Sequence, residues 1–347
     1  MHASPLDTAI LRKRNPTIID VAAVAGVAIG TVSRHLNGLP VRASNRDQIE
    51  RAIAELGYRR NSIAVSMKTD TTHIVGLMMP AISEFHASLL DQLSRKMRQS
   101  GRAVLTFCHD QQLRTIQEGL EFFASHRVDA VVMDGEPHLR QAVLKHIEDG
   151  LVVVLYDNDI EDLPVDRVFS ANRAASARAV DHLIDLGHKR IATIHGHLRD
   201  SAARERLAGF VEAHEHNGLE IIPELVVDAG WQQSKGYDAL RTLMALEAPP
   251  TALFSANYNM TIGALIAARE LGLRIPEDLS VVSFDDVPAF SVHNPGITCV
   301  GQPIERLAES ITTVLSQRLA DPAGLGRRLV TIDCDIILRG STRRLRT

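Results

Sequence analysis

Cysteine is scarce: Cys108, Cys299 and Cys334 are the only three in 347 residues, and no CxxC pair occurs. That excludes a disulfide framework and a thiolate zinc site. It suits small buried side chains in a reducing cytosol. Aromatics are also few, at 4%, so the single tryptophan, Trp231, stands out. Long apolar runs are missing. The longest aliphatic stretch, about 151–156, falls far short of the ~20 residues a membrane span needs. No apolar segment precedes the basic cluster Arg12-Lys13-Arg14, so no secretory signal is expected. Catalytic signatures are absent too: GxSxG, HExxH, GxxxxGK[ST] and GxGxxG do not occur. His214-Glu215-His216 lacks the i, i+4 spacing of two ligands on one helix face and reads as a solvated helix end. Asp157, Asp159 and Asp162 lack the turn glycine and closing glutamate of a calcium loop. No metal, cofactor or enzymatic activity is expected.

What remains is an ordinary globular composition, 45% hydrophobic and 23% charged. The length suggests two or three domains. Net charge is −4, but it is unevenly spread. Residues 1–70 carry ten Lys and Arg against six Asp and Glu, a net of +4, which leaves −8 on residues 71–347. A small basic head on an acidic body fits a DNA-binding unit attached to a separate sensing unit.

Three short helices are expected within 17–57. Thr17, three residues before Asp20, gives a capping-box start. Ile18, Val21, Ala22 and Ala25 follow at helical spacing, and Gly26-Val27 makes a tight turn. A second helix is expected over about 29–36, ended by Asn37-Gly38, and a third over about 45–56. Val32 and Leu36 should face the three-helix core. Two short helices on a tight turn fit a helix-turn-helix, whose second helix enters the major groove. There Thr31 and Ser33 offer hydroxyls to phosphates, and Arg34 can reach guanine O6 and N7 in bidentate fashion. Residues 58–72 lack a strong apolar stripe.

Beyond His73 the period changes. Strand-like runs over 73–79, 103–107, 130–133, 152–156, 190–194, 225–227, 252–255 and 281–284 alternate with amphipathic helical stretches. That pattern implies parallel sheets with crossover helices. A polar loop, 158–169, divides the alternation into halves and favours two sheets over one barrel.

The stretch TIIDVAAVAGVAIGTVSRHLNG resembles the head of the lactose/galactose repressor (LacI/GalR) family, and AIAELGYRRNSIAVSMK resembles its third helix and hinge. HLIDLGHKRIATIHG, ERLAGF, TALFSAN, GLRIPEDLSVVSFDD and ITCVGQP are similar to family landmarks in the expected order, covering residues 17–340. The resemblance implies an all-α helix-turn-helix head and an α/β periplasmic-binding-protein-like body of two Rossmann-like subdomains. It divides the chain into an N-terminal extension (1–16), a DNA-binding domain (17–60), a hinge (61–70) and an effector-binding and dimerisation domain (71–347). The body's subdomain 1 is about 71–168 plus 301–330, and subdomain 2 about 169–300 plus 331–347.

The function implied is a ligand-responsive repressor, most naturally of a carbohydrate-utilisation operon. It would be a cytoplasmic homodimer, nucleoid-associated on a pseudo-palindromic double-stranded operator, with no membrane partner. Its effector would be a sugar or sugar derivative. Ile29, Gly30 and Arg34 match base-reading positions. Met67 matches a hinge side chain that wedges into the minor groove, and Asn61 the hinge start. Thr17, Thr31, Ser33 and Asn37 complete the DNA set. Phe85, His86, Asp157, Arg206, Trp231, Asn257 and Asp285 match effector positions, their chemistry suited to sugar hydroxyls and an apolar sugar face. His195, His197 and Arg199 with His86 leave a phosphorylated ligand open. Departures include Ala28 for serine, Arg60 for proline, Val65 for arginine or glutamine, His35 for an aliphatic residue, Tyr258 for an acid and Ser283 for glycine. A transport binding protein would share the body but would carry a signal peptide and no head. An enzyme on Rossmann-like domains would need motifs that are missing.

Overall fold

A computed structural model describes residues 16–59, 71–322 and 326–345 of the chain. Contacts divide it after residue 72 into two compact units. Asn61, Met67 and the whole of the expected hinge, 61–70, lie outside the described residues.

The smaller unit holds three helices: α1 (Ile18–Ala25), α2 (Ile29–Leu36) and α3 (Ala43–Leu56). Thr17 starts α1 with a capping box. Its hydroxyl oxygen accepts the Asp20 N–H while the Asp20 carboxylate accepts the Thr17 N–H at 2.7 Å. Gly26, at φ 65°, ends it. A left-handed residue is nearly free only for glycine. The chain then turns so that α1 and α2 cross at 111°, within the helix-turn-helix range. Val21, Ala22, Ala25, Val32, Ile49 and Ala52 form the buried centre, with Leu36 packed against it. Helix α3 begins two residues earlier than its apolar stripe suggests, at Ala43.

The larger unit contains two six-stranded sheets. The first sheet uses β1 (Ile74–Met79), β2 (Ala103–Cys108), β3 (Ala130–Asp134), β4 (Val152–Tyr156), β5 (Asp166–Ser170) and β11 (Leu329–Ile332), in the order β11-β5-β4-β3-β1-β2. All its pairings are parallel. The second uses β6 (Ile191–His195), β7 (Val226–Asp228), β8 (Ala252–Ser255), β9 (Ser280–Phe284), β10 (Thr298–Gly301) and β12 (Asp335–Ile337), in the order β12-β10-β9-β8-β6-β7. Here only β12 runs antiparallel, against β10.

The expected fold class is therefore observed, with corrections in detail. The loop 158–169 is not structureless to its end: β5 begins at Asp166. Its apolar residues are too few and too interleaved with charge to signal a strand. Its position comes instead from pairing β4 on one side and β11 on the other. The short strands β10, β11 and β12, of three or four residues, were likewise not foreseen. His214 is also not solvated. It is 2% exposed, and its Nδ1 bonds the Phe210 carbonyl, 2.9 Å away.

The chain passes between sheets three times, after β5, after β10 and after β11. Helix α7 (Asn172–Asp185) follows β5 but packs on the second sheet. Helix α12 (Ile304–Ala320) follows β10 but packs on the first. Asp166 pins the far end of the first sheet. Its fully buried carboxylate takes Arg318 at 2.9 and 3.0 Å and the Arg328 N–H at 3.0 Å. Those hydrogen bonds outweigh burial and hold it below the usual carboxylate range.

Candidate functional sites: a DNA-reading helix and an effector cleft

On α2, Ile29, Gly30 and Arg34 are exposed, as is Asn37 just beyond it, while Thr17, Thr31 and Ser33 are half-buried. Val32 is fully buried, so the opposite face of α2 is the one presented to solvent. Among the described residues, Arg34 donates to the Pro40 carbonyl, at 3.3 Å. Ala28 caps α2 with no side-chain hydrogen bond, the consequence of replacing serine there. Ile19, Val24, Ile29 and Leu39 are large apolar residues left exposed on the same small unit.

In the larger unit, a cleft of about 380 Å³ opens between the carboxyl ends of the two sheets. Phe85, His86, Asp157, Arg206, Trp231, Asn257 and Asp285 all line it. Strand ends of open parallel sheets are where ligands collect. Asp157 follows β4 and Asp285 follows β9, both in the left-handed region at φ 60° and 71°. Asn257 caps α10 (Tyr258–Glu270), its Oδ1 accepting the Met260 N–H at 2.9 Å. Phe85 and His86 sit in the first turn of α4 (Glu84–Gln99).

Arg206 lies on α8 (Ser201–His216) and is 3% exposed. It donates to Asn172 Oδ1 at 2.8 Å and the Ala256 carbonyl at 2.7 Å, and covers the Phe284 ring at 3.7 Å. It makes no ion pair with Asp285. That aspartate instead accepts from Gln302 Nε2 at 2.7 Å, and Gln302 Oε1 accepts from Ser170 at 2.7 Å. Trp231 is more than packing. Its indole N–H donates to Asp200 at 2.6 Å, and Arg206 lies 5.6 Å from its ring centre. A Cβ at residue 196 would collide with that indole, so Gly196 is what lets Trp231 lie against the end of β6.

Sequence reasoning did not single out Asp134, Asn158, Asp200, His109, Gln111 or Gln302, which also line the cleft. Asp134 ends β3 and Gln302 follows β10. The available signal was a polar residue directly after an apolar strand. Asn158 ties the two halves together. Its N–H donates to Asp134 at 3.1 Å, and its Oδ1 accepts the Ala202 N–H at 2.9 Å.

Burial dominates the electrostatics. It raises Asp134 well above the carboxylate range, helped by the charges of Asp157 and Glu136. It also raises Asp157, which Arg206 partly offsets. Glu136 is pushed up to about 7 by burial and by Asp200. His86 and His109 are driven down to about 4 by burial. Of the residues that left a phosphorylated ligand open, His195 is buried and bonded to its own neighbour's carbonyl, and Arg199 lies 3.5 Å from Asp200. His197 lines the cleft.

The profile of bacterial regulatory proteins of the lacI family matches residues 17–61, and that of the periplasmic binding protein-like domain matches 180–342. The transcriptional repressor PurR of Haemophilus influenzae is 30% identical over 309 residues, covering 87% of this chain and 91% of its own. The chain belongs to the LacI family. The repressor CytR of Escherichia coli is 29% identical over 95% of the chain and 97% of itself. The Lac repressor dimer bound to operator and the anti-inducer ONPF superposes with a TM-score of 0.85 at 25% identity, over 95% of this chain and all of that one. The regulator CelR in complex with cellobiose gives 0.71 at 28%, over 94% of this chain and all of that one. As a LacI-family member the protein is a ligand-regulated, DNA-binding transcriptional repressor that forms dimers and is not an enzyme.

Proposed function

We propose that the effector is a neutral polyol, a sugar or sugar derivative, and that the repressor controls genes of carbohydrate use. One observation carries this reading. Five aspartates line the cleft (Asp110, Asp134, Asp157, Asp200 and Asp285), and Arg206 is the single lysine or arginine among the lining residues. Arg206 is already engaged by Asn172 and the Ala256 carbonyl. A phosphate or carboxylate would meet five acids and one arginine, two of whose nitrogens already donate within the protein. Hydroxyl groups, by contrast, donate to carboxylates, and Trp231 and Phe85 offer apolar faces to C–H groups. The cellobiose bound by CelR supports the same class.

The repressor reads DNA through Ile29, Gly30, Thr31, Ser33 and Arg34, with Thr17 and Asn37 on the backbone. Arg34 supplies the bidentate contact to guanine. Asn61 and Met67 complete the set by resemblance, in the hinge. The dimer sits on a pseudo-palindromic operator in the cytoplasm, associated with the nucleoid while bound. Effector binding favours one closure of the cleft, and the differential affinity of the two closures sets the switch.

A thermal-shift and operator-release panel tests the reading. Neutral mono- and disaccharides should raise the melting temperature and change operator affinity at least fivefold, the lower end of ordinary coupling. Phosphorylated sugars should do neither. A response confined to phosphorylated or carboxylated compounds would overturn it.

A further inference from the structure

Among the described residues, eight buried side-chain atoms lack a hydrogen-bond partner, and three belong to residues that line the cleft: His86 Nε2, His109 Nε2 and Asp200 Oδ1. Of these, Asp200 has an ionic neighbour, Arg199 at 3.5 Å. His86 is different. It is 8% exposed, its Nδ1 lies 2.7 Å from Ser83 Oγ, and its Nε2 meets nothing. A ring nitrogen of His86 and one carboxylate oxygen each of Asp134 and Asp157 lie within 4.8 Å of one another.

This group is costly as it stands. Two adjacent carboxylates repel, and burial strengthens the repulsion. Asp134 receives one hydrogen bond, from the Asn158 N–H at 3.1 Å. Arg206 is turned to Asn172, the Ala256 carbonyl and the Phe284 ring. A buried polar atom without a partner calls for its own explanation. Here a partnerless ring nitrogen converges with two crowded carboxyl groups.

We propose that this wall of the cleft binds a divalent transition-metal ion through His86, Asp134 and Asp157. The proposal rests on reading the cleft as the effector site, because the metal would face the same space. With the proton on Nδ1 donated to Ser83 Oγ, Nε2 presents its lone pair. That is the outer hydrogen bond metal-bound histidines ordinarily make. One imidazole nitrogen and two carboxylate oxygens suit Zn²⁺, Co²⁺ or Mn²⁺. Three protein ligands leave coordination positions open toward the cleft, where a hydroxyl oxygen of the effector can complete the sphere. The three ligands come from the start of α4, the end of β3 and the residue after β4. The site is therefore built wholly on the first sheet and its helices.

Full-length protein stripped with EDTA is titrated with Zn²⁺ by calorimetry and with Co²⁺ by visible absorption. One ion per chain is expected, with d–d bands for Co²⁺ and release by EDTA. His86→Gln and Asp134→Asn should each weaken binding more than tenfold. Ser83→Ala, which removes the outer hydrogen bond together with the cap that Ser83 Oγ gives the His86 N–H, should weaken it by about 10–100-fold and keeps the test decisive if the other variants fold poorly. No stoichiometric binding, or binding unchanged in both His86→Gln and Ser83→Ala, overturns the proposal. The sugar panel repeated in EDTA separates the two readings. Operator release by sugars without any metal binding sinks the metal alone. Metal binding with no response to any neutral sugar sinks the sugar reading alone.

Discussion

The two units of this repressor bury opposite things. Every buried residue described in the head is apolar: Val21, Ala22, Ala25, Val32, Ile49 and Ala52. The body buries histidines, carboxylates and an arginine as well, many of them round one cleft. The contrast follows from what each unit recognises. DNA is larger than the head, so its recognising groups stand outside on a small apolar support. A small ligand is enclosed, so the body must hold polar groups inside. The head can thus lose a recognising side chain without losing its fold. The body has less freedom to do so.

Trp231, the single tryptophan, reports on the body alone, which gives each test its own signal. The largest effect is expected at Asp166. Asp166→Asn leaves Arg318 and Arg328 without their buried counter-charge and should destabilise the body by about 3–5 kcal/mol. Urea unfolding followed by Trp231 fluorescence measures it; an unchanged midpoint would mean that water already compensates these arginines. Asp285→Asn comes next. Asparagine tolerates the left-handed backbone there and can still accept from Gln302. Losing the charge should cost about 1.5–3 kcal/mol of effector binding while free operator affinity stays as in wild type. A wild-type effector response would remove Asp285 from the site.

In the head, Arg34→Ala should weaken operator binding by about 1–3 kcal/mol and relax one base position. The Trp231-detected midpoint should not move. An Arg34→Ala protein that loses affinity equally for all sequences would make Arg34 a phosphate contact. Thr17→Ala removes the capping box and should cost the head about 1 kcal/mol, seen in far-ultraviolet circular dichroism but not in fluorescence. A body midpoint that falls with it would refute the independence of the two units.

The smallest effect concerns pH. Burial lowers His214 below its usual range, so the folded body refuses a proton that the unfolded chain accepts. Its contribution to stability is present above about pH 6.5 and is lost as pH falls below it. The fluorescence midpoint of wild type should therefore drop more between pH 7.5 and 5.5 than that of His214→Gln. Equal drops would show that His214 titrates alike in both states.

The head was legible almost residue by residue. Its signals are local: Thr17 three before Asp20, Gly26 after α1, Val32 and Leu36 one turn apart. Contacts within a few residues fix such helices and turns, and so the pattern survives in one dimension. In the body, long apolar strands could be read from the pattern, while Asp157, Asn257 and Asp285 were named through the family resemblance. The strand β5 could not, because it exists through its pairing with β4 and β11 rather than through its own residues. His214 was misread for a similar reason. Its neighbours Glu215 and His216 suggest solvent, and only the packing of α8 against α7 covers it.

The sequence by itself determined the family, the three-helix head, the alternation that makes two parallel sheets, and the chemical types that meet at the strand ends. These follow from periodicity and from motifs whose residues lie close together. The tertiary structure alone decided how the groups are partnered. It set Arg206 on Asn172 rather than Asp285, put Trp231 on Asp200, and left His86 facing Asp134 and Asp157. Such pairings join residues 31 to 71 positions apart. They depend on where three crossings of the chain bring two sheet edges together, and no local spacing records that.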